Sequence, residues 1–184
     1  MVVFDSGGTE IYKVGIICSG NTCRSPVAAA WLRSFIAKAD LQNRVRIWSA
    51  GLAPRVEEET VCQEAVSAAK EQGLEEALVE DLERHRARSI TTAINEQGEK
   101  ANLLCFLTDG KSQASKKKIQ SHADALGAEL MVIIVPDDAW ETRNKERDKG
   151  LEKIRLAYYE QGLKLQAKAR NILAYVAPKI FAEP

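Results

Sequence analysis

Four short runs rich in apolar residues punctuate the chain: 13–18, 44–48, 103–107 and 129–135. Within them the apolar positions are mostly consecutive rather than alternating, as in strands covered on both faces. Helical spacing fills the gaps. In 26–39, Ala28, Leu32, Phe35 and Ile36 share one side, with Val27 and Trp31 beside them. In 57–72, Val61, Ala65 and Ala68 mark the inner side, and Gly73 suits a stop. Residues 74–84 are acidic and carry no clear period. A short helix is expected over 91–98 and another between Ser112 and Leu126. A long helical pattern covers 142–176, with Leu151, Ile154, Tyr158, Leu165, Ala169, Ile172 and Val176 on its apolar side. Gly150 and Gly162 weaken it by about 1 kcal/mol each relative to Ala. Pro178 is the expected end.

Strands alternating with helices predict an α/β chain, a four-stranded parallel sheet with helices on both faces in three layers. Ligands of such sheets bind at the C-terminal strand ends. Cys18, Ser49, Thr108 and Asp137 all fall there. Residues 1–12 read as a polar, mobile lead-in, and 13–184 as one domain ending in a long helix.

Composition narrows the function classes. The 184 residues hold 26 basic and 26 acidic side chains and are 45% hydrophobic, an ordinary globular balance. Neither nucleic acid nor a membrane surface is demanded as partner; the triplet Lys116–Lys118 reads as a solvated face. No apolar run reaches the length of a membrane span, and the first residues do not resemble a signal peptide, so a cytoplasmic location is the default expectation. The four cysteines are Cys18, Cys23, Cys62 and Cys105. Their spacing fits no zinc site, and a disulfide scaffold is not expected at this size. Cys62 and Cys105 read as buried thiols.

One stretch concentrates the chemistry: Cys18-Ser19-Gly20-Asn21-Thr22-Cys23-Arg24-Ser25-Pro26, directly after the first strand and before the first helix. Ser25 suits the N-cap and Pro26 the first helical position. A helix start presents free N–H groups and a partial positive charge, so the loop before it can cradle an oxyanion. Arg24 adds a fork matched to two phosphate oxygens. Cys18 would sit beneath the anion, in a field that favours its thiolate form. Cysteine, five residues, arginine is the spacing of a cysteine-dependent phosphatase.

This block resembles the signature of the low-molecular-weight protein tyrosine phosphatases, which also lies near the N-terminus. The resemblance extends to Ser49-Ala50-Gly51 and to His85-Arg86-Ala87-Arg88. It implies the strand order 2-1-3-4, phosphotyrosine in a protein as substrate, and no metal or other cofactor. Cys18 is then the nucleophile, forming a phosphocysteine that water hydrolyses. Ser19, Gly20, Asn21, Thr22, Cys23, Arg24 and Ser25 bind the phosphoryl group, and Arg24 stabilises the transition state. Asn21, Ser25, Ser49 and His85 brace the loop. Asp137 takes the position of the family's general acid. Asp138 stands where the family has proline, and a one-residue shift would make it the acid instead. Cys23 corresponds to a neighbour that can form a reversible disulfide with the nucleophile. Trp140 could line the cleft and stack on a phenyl ring.

Thr22 departs from the aliphatic residue common at its position and resembles the protein arginine phosphatases, so phosphoarginine is the alternative substrate. Arsenate reduction uses the same fold and loop but needs further cysteines near the site, and Cys62 and Cys105 lack the close spacing of that relay. A non-catalytic phosphate-binding module would not need Cys18, Arg24 and Asp137 together.

Overall fold

The computed structural model describes residues 11–56, 58–95, 98–136, 139, 142 and 151–181. The lead-in up to residue 10, and with it Asp137, Asp138 and Trp140, lies outside the described residues. The strands are β1 (Tyr12–Cys18), β2 (Val45–Gly51), β3 (Leu103–Thr108) and β4 (Glu129–Ile134). The helices are α1 (Arg24–Lys38), α2 (Gln63–Glu71), α3 (Glu76–Arg84), α4 (Ile90–Asn95), α5 (Gln113–Leu126) and α6 (Leu151–Phe181). All strand pairs are parallel and the order is β2-β1-β3-β4, as expected.

β1 and β3 are the interior strands, and both carry long, mostly apolar buried runs: Val14 to Cys18 in β1 and all of Leu103 to Thr108 in β3. In β1, Val14, Ile16 and Cys18 face a core shared with α1, α2, α3 and α6. Its Ile17 faces a second core, with Trp48, Ile90, Phe106 and Ile119, under α4 and α5. β4 departs from the expected double coverage. It is an edge strand whose Val132 and Ile134 are 43% and 58% exposed. An apolar run alone does not distinguish a strand with neighbours on both sides from one at the rim.

Helix boundaries moved for identifiable reasons. α1 starts at Arg24, with Cys23 as N-cap and no side-chain cap. Ser25, expected at the N-cap, is turned inward toward the loop. Pro26 then sits in the first turn, where its missing N–H has no intrahelical acceptor to lose. The helix expected from residue 57 starts at Gln63. The chain before it is paired elsewhere: the Glu58 N–H donates to the Ala87 carbonyl at 2.7 Å, and the Ala87 N–H to the Glu59 carbonyl at 2.8 Å. α2 stops as expected, at Gly73 with φ +84°. The unassigned acidic stretch is α3, held by the buried Val79 and Leu82 with Leu78 packed beside them.

α6 does not end at Pro178. It runs through it to Phe181, and the Arg44 guanidinium caps the end by donating to the Ile180 carbonyl at 2.7 Å. Gly162 is no bend either. A Cβ there would lie 2.6 Å from the Gln72 side chain, which donates to the Tyr159 carbonyl at 2.6 Å. Glycine lets α2 and α6 approach. Among the described residues no helix is long and apolar enough to cross a membrane.

Gly15 marks the tightest point of the sheet. A Cβ there would come within 2.7 Å of both Leu104 and the Trp48 ring, side chains that are themselves buried. Gly15→Ala is therefore expected to lower unfolding stability by about 1–3 kcal/mol, the usual cost of overpacking, read as a fall in the urea midpoint at unchanged slope.

Candidate active site

The chain leaves β1 at Cys18 and enters α1 at Arg24, so residues 19–23 turn in a tight loop over the sheet's C-terminal edge. Asn21 occupies the left-handed region at φ 59°, which asparagine tolerates better than other side-chain-bearing residues. The carbonyls of Cys18, Ser19 and Thr22 point outward, accepting from the N–H groups of Leu52, Ala53 and Cys62 at 2.8, 2.9 and 2.9 Å. In a trans peptide the next residue's N–H points the opposite way. Ser19, Gly20 and Cys23 thus direct their N–H groups to the inside of the loop, forming a nest for an anion.

Cys18 lies at the floor, 2% exposed. The Asn21 N–H donates to its sulfur at 3.3 Å, and Ser25 Oγ is 3.0 Å away. Ser25 Oγ also accepts from Asn21 Nδ2 at 3.0 Å. Its single hydrogen is then available to the sulfur, the Ala50 carbonyl being farther at 3.4 Å. Both contacts favour negative charge on sulfur. Arg24 is buried at the opposite end of the loop and reaches back to Ser19 Oγ at 3.4 Å.

A side-chain amide holds this together. Asn21 Nδ2 donates to Ser25 and to Ser49 Oγ at 3.1 Å; Asn21 Oδ1 accepts from His85 Nε2 and from the Arg88 N–H, each at 3.1 Å. The amide oxygen only accepts, so His85 must carry its hydrogen on Nε2. Burial, then the charges of Arg88, Arg33 and Arg86, push the His85 pKa down to about 4. The ring is accordingly a neutral donor at physiological pH.

The loop opens onto a cleft of about 600 Å³, whose wall includes Arg55, Glu59, Glu64, Asp109, Tyr158 and Gln161. A larger groove of about 1130 Å³ between α1, β2 and α3 contains none of the predicted site residues. Among the described residues no group of three His, Cys, Asp or Glu side chains is arranged to hold a metal ion.

A sequence profile described as low molecular weight phosphotyrosine protein phosphatase matches residues 13–157, from β1 into α6. The chain belongs to that family. A Drosophila melanogaster protein, low molecular weight phosphotyrosine protein phosphatase 2, is 45% identical over 40 residues, 22% of this chain and 24% of that one. The match thus spans about a quarter of the relative's length. The low molecular weight protein tyrosine phosphatase of T. tengcongensis superposes with TM-score 0.63 at 20% identity, covering 89% of this chain and 99% of that one. A structure of the arginine phosphatase YwlE, a Bacillus subtilis protein, superposes with TM-score 0.61 at 19% identity, covering 90% and 95%. These structural likenesses establish the shared fold.

Cys18, Ser19, Gly20, Asn21, Thr22, Cys23, Arg24, Ser25, Ser49 and His85 come together around the loop that follows β1. Asp137 and Asp138, the candidates for the general acid, lie outside the described residues. Two participants were missed. Arg88 ties the loop to its surroundings: its N–H donates to Asn21, its Nε to the Ser49 carbonyl of β2 at 3.1 Å, and its Nη2 to Glu99 at 3.3 Å. The conspicuous Arg86 and Arg88 pair around Ala87 was a signal for it. Gly51 is the second. A Cβ there would stand 3.0 Å from the Ser19 oxygen and the Gly20 carbonyl carbon.

The expectation for the cysteines needs correction. Cys62 is not a buried helical thiol but the half-exposed N-cap of α2, and it is disulfide-bonded to Cys23 across 39 residues. The fold brings α2 back over the loop, and linear spacing carries no trace of that. Cys18 and Cys105 are free and buried, and burial pushes the Cys105 thiol up.

The depressed His85 pKa has a consequence for stability. Between about pH 4 and the unfolded value of 6.5 the unfolded chain binds a proton that the folded chain does not, so stability falls as pH falls through that window. The loss between pH 7 and pH 5 should be about 1–2 kcal/mol from this group. His85→Gln, which keeps a donor but cannot titrate, should lack that part of the acid loss in urea unfolding followed at both pH values.

Proposed function

We propose that the chain hydrolyses phosphotyrosine in proteins, with Cys18 as nucleophile and a phosphocysteine as intermediate. What supports this is the position of the Cys18 sulfur, under an anion nest and in contact with the Asn21 N–H and Ser25 Oγ. An entering phosphoryl group meets the inward N–H groups of Ser19, Gly20 and Cys23 together with the Arg24 guanidinium. These donors are fixed before substrate arrives, so the charge spread over the transferring oxygens is stabilised with little reorganisation. Sulfur bonds to phosphorus, and the phenolic oxygen leaves with a proton from the acid at Asp137, with Asp138 as the alternative donor. Water then releases phosphate and returns Cys18 as thiolate.

Phosphoarginine is the second reading. Glu59, Glu64 and Asp109 put three carboxylates on the cleft wall, which suits a guanidinium leaving group. Thr22 adds a hydroxyl beside Gly20, its Oγ1 3.5 Å from where a Gly20 Cβ would stand. Tyr158 is the aromatic on the described wall.

Turnover of a phosphotyrosine peptide and a phosphoarginine peptide, measured side by side, decides between the two. Cys18→Ser should abolish both while retaining phosphate binding, since binding rests on the loop and Arg24. Substantial residual turnover would remove Cys18 from its role.

The acid is found by leaving-group dependence. Proton donation contributes 10²–10⁴-fold, so Asp137→Asn should lower kcat on a phenyl phosphate by about 10²-fold or more, and less on an ester whose leaving group needs no proton. Asp138→Asn should leave both rates within a few-fold. The reverse pattern would transfer the role to Asp138.

A further inference from the structure

Three cysteines open onto one cleft: Cys18, Cys23 and Cys62. Cys23 can pair with only one of the others, and here it is bonded to Cys62 while Cys18 is a free thiol. The Cys23 and Cys62 Cα atoms are 5.9 Å apart. A second tether holds them together without the sulfurs: the Cys62 N–H donates to the Thr22 carbonyl at 2.9 Å. Opening the bond would therefore leave both thiols in reach of one another. Cys105, wholly buried in β3, stands outside this group.

We propose that Cys62 is the exit thiol of an internal relay that removes oxidation from the nucleophile. The proposal rests on the reading of Cys18 as nucleophile. A peroxide converts the Cys18 thiolate to sulfenic acid, releasing hydroxide. The Cys23 thiolate attacks that sulfur, forming a Cys18–Cys23 disulfide and expelling a second hydroxide. The Cys62 thiolate then attacks the Cys23 sulfur, the Cys23–Cys62 bond forms, and Cys18 departs as thiolate. Protons lost by Cys23 and Cys62 convert the two hydroxides to water. In sum, one peroxide is reduced, Cys23 and Cys62 together lose two electrons, and Cys18 is unchanged.

The direction of the last step follows from geometry. Cys18 is the better leaving group, because its departing charge is received by the Asn21 N–H and by Ser25 Oγ. The disulfide then lies on the half-exposed Cys62, where an external thiol can reduce it, rather than on the buried sulfur of the nucleophile. A phosphatase so equipped keeps working after its first oxidising hit and loses activity only when the relay is already spent.

The test starts from the fully reduced full-length chain and one equivalent of hydrogen peroxide, followed by alkylation and disulfide mapping by mass spectrometry. The wild type should contain Cys23–Cys62 with Cys18 open to alkylation, and its aryl phosphate turnover should stay within about two-fold of the untreated enzyme. Cys62→Ser should instead trap Cys18–Cys23 and lose at least ten-fold, restored by dithiothreitol. Cys62→Ala serves as a second variant, and a native circular dichroism spectrum is required of both. Cys18→Ser should form Cys23–Cys62 at least ten-fold more slowly, since peroxide then lacks its entry point. A wild type trapped as Cys18–Cys23, a Cys62→Ser chain that responds as the wild type does, or undiminished bond formation in Cys18→Ser would each overturn the relay. Mapping reads sulfur and not turnover, so a chain inactive on every phosphoryl substrate would refute the proposed function while still deciding the relay.

Discussion

The left-handed turn at Asn21 is the constraint on which the site depends. Its backbone sends one N–H onto the Cys18 sulfur, and its side chain uses both hydrogens and its oxygen on Ser25, Ser49, His85 and Arg88. The group is entirely buried, so each of those bonds forms where water cannot substitute and each loss would leave a polar atom stranded. The Cys18–Arg24 loop is thus secured from beneath by β2 and from the side by the segment after α3. Nothing is asked of an incoming anion to organise it.

Asn21 also explains why elements far apart in sequence are tied to one another. His85 and Arg88 sit on the segment that pairs with residues 58–60, and that pairing sets where α2 can begin. α2 in turn places Cys62 against the loop. Arg88 is paired with Glu99 while its guanidinium lies 6.0 Å from the Trp48 ring centre, so a positive charge is accommodated close to the loop. The chain of support runs from one amide through two segments to the rim of the cleft.

Much of this was legible because it is local. A strand followed by a glycine-containing loop and a helix start is written in adjacent letters, and so are the four apolar runs that make the sheet. What failed was whatever depends on a neighbour distant in sequence. Ser25 looks like an N-cap until Asn21 and Cys18 claim its hydroxyl. Pro178 looks like a terminator until the packing of Val176 and Ile180 under α1 and Arg44 carries the helix past it. β4 looks doubly covered because apolarity cannot report which strand is last in the sheet. The Cys23–Cys62 pair joins two cysteines that no spacing rule connects. Arg88 was visible as a residue but not as a brace, since its role exists only through partners on three other segments.

Gly51 carries a further consequence. With no side chain, β2's last residue lets the backbone of Ser19 and Gly20 lie directly against it, so main-chain contact limits how close the Cys18–Arg24 loop can come to the sheet. The floor of the cleft is held by this contact together with the Asn21 bonds. Its walls come from other segments: Arg55 and residues 59–64, Asp109 after β3, and Tyr158 and Gln161 of α6. On the proposed reading, recognition of the phosphoryl group and recognition of whatever bears it rest on different segments. If that reading holds, wall residues could be exchanged to suit a side chain of different shape and charge without disturbing the backbone contact beneath.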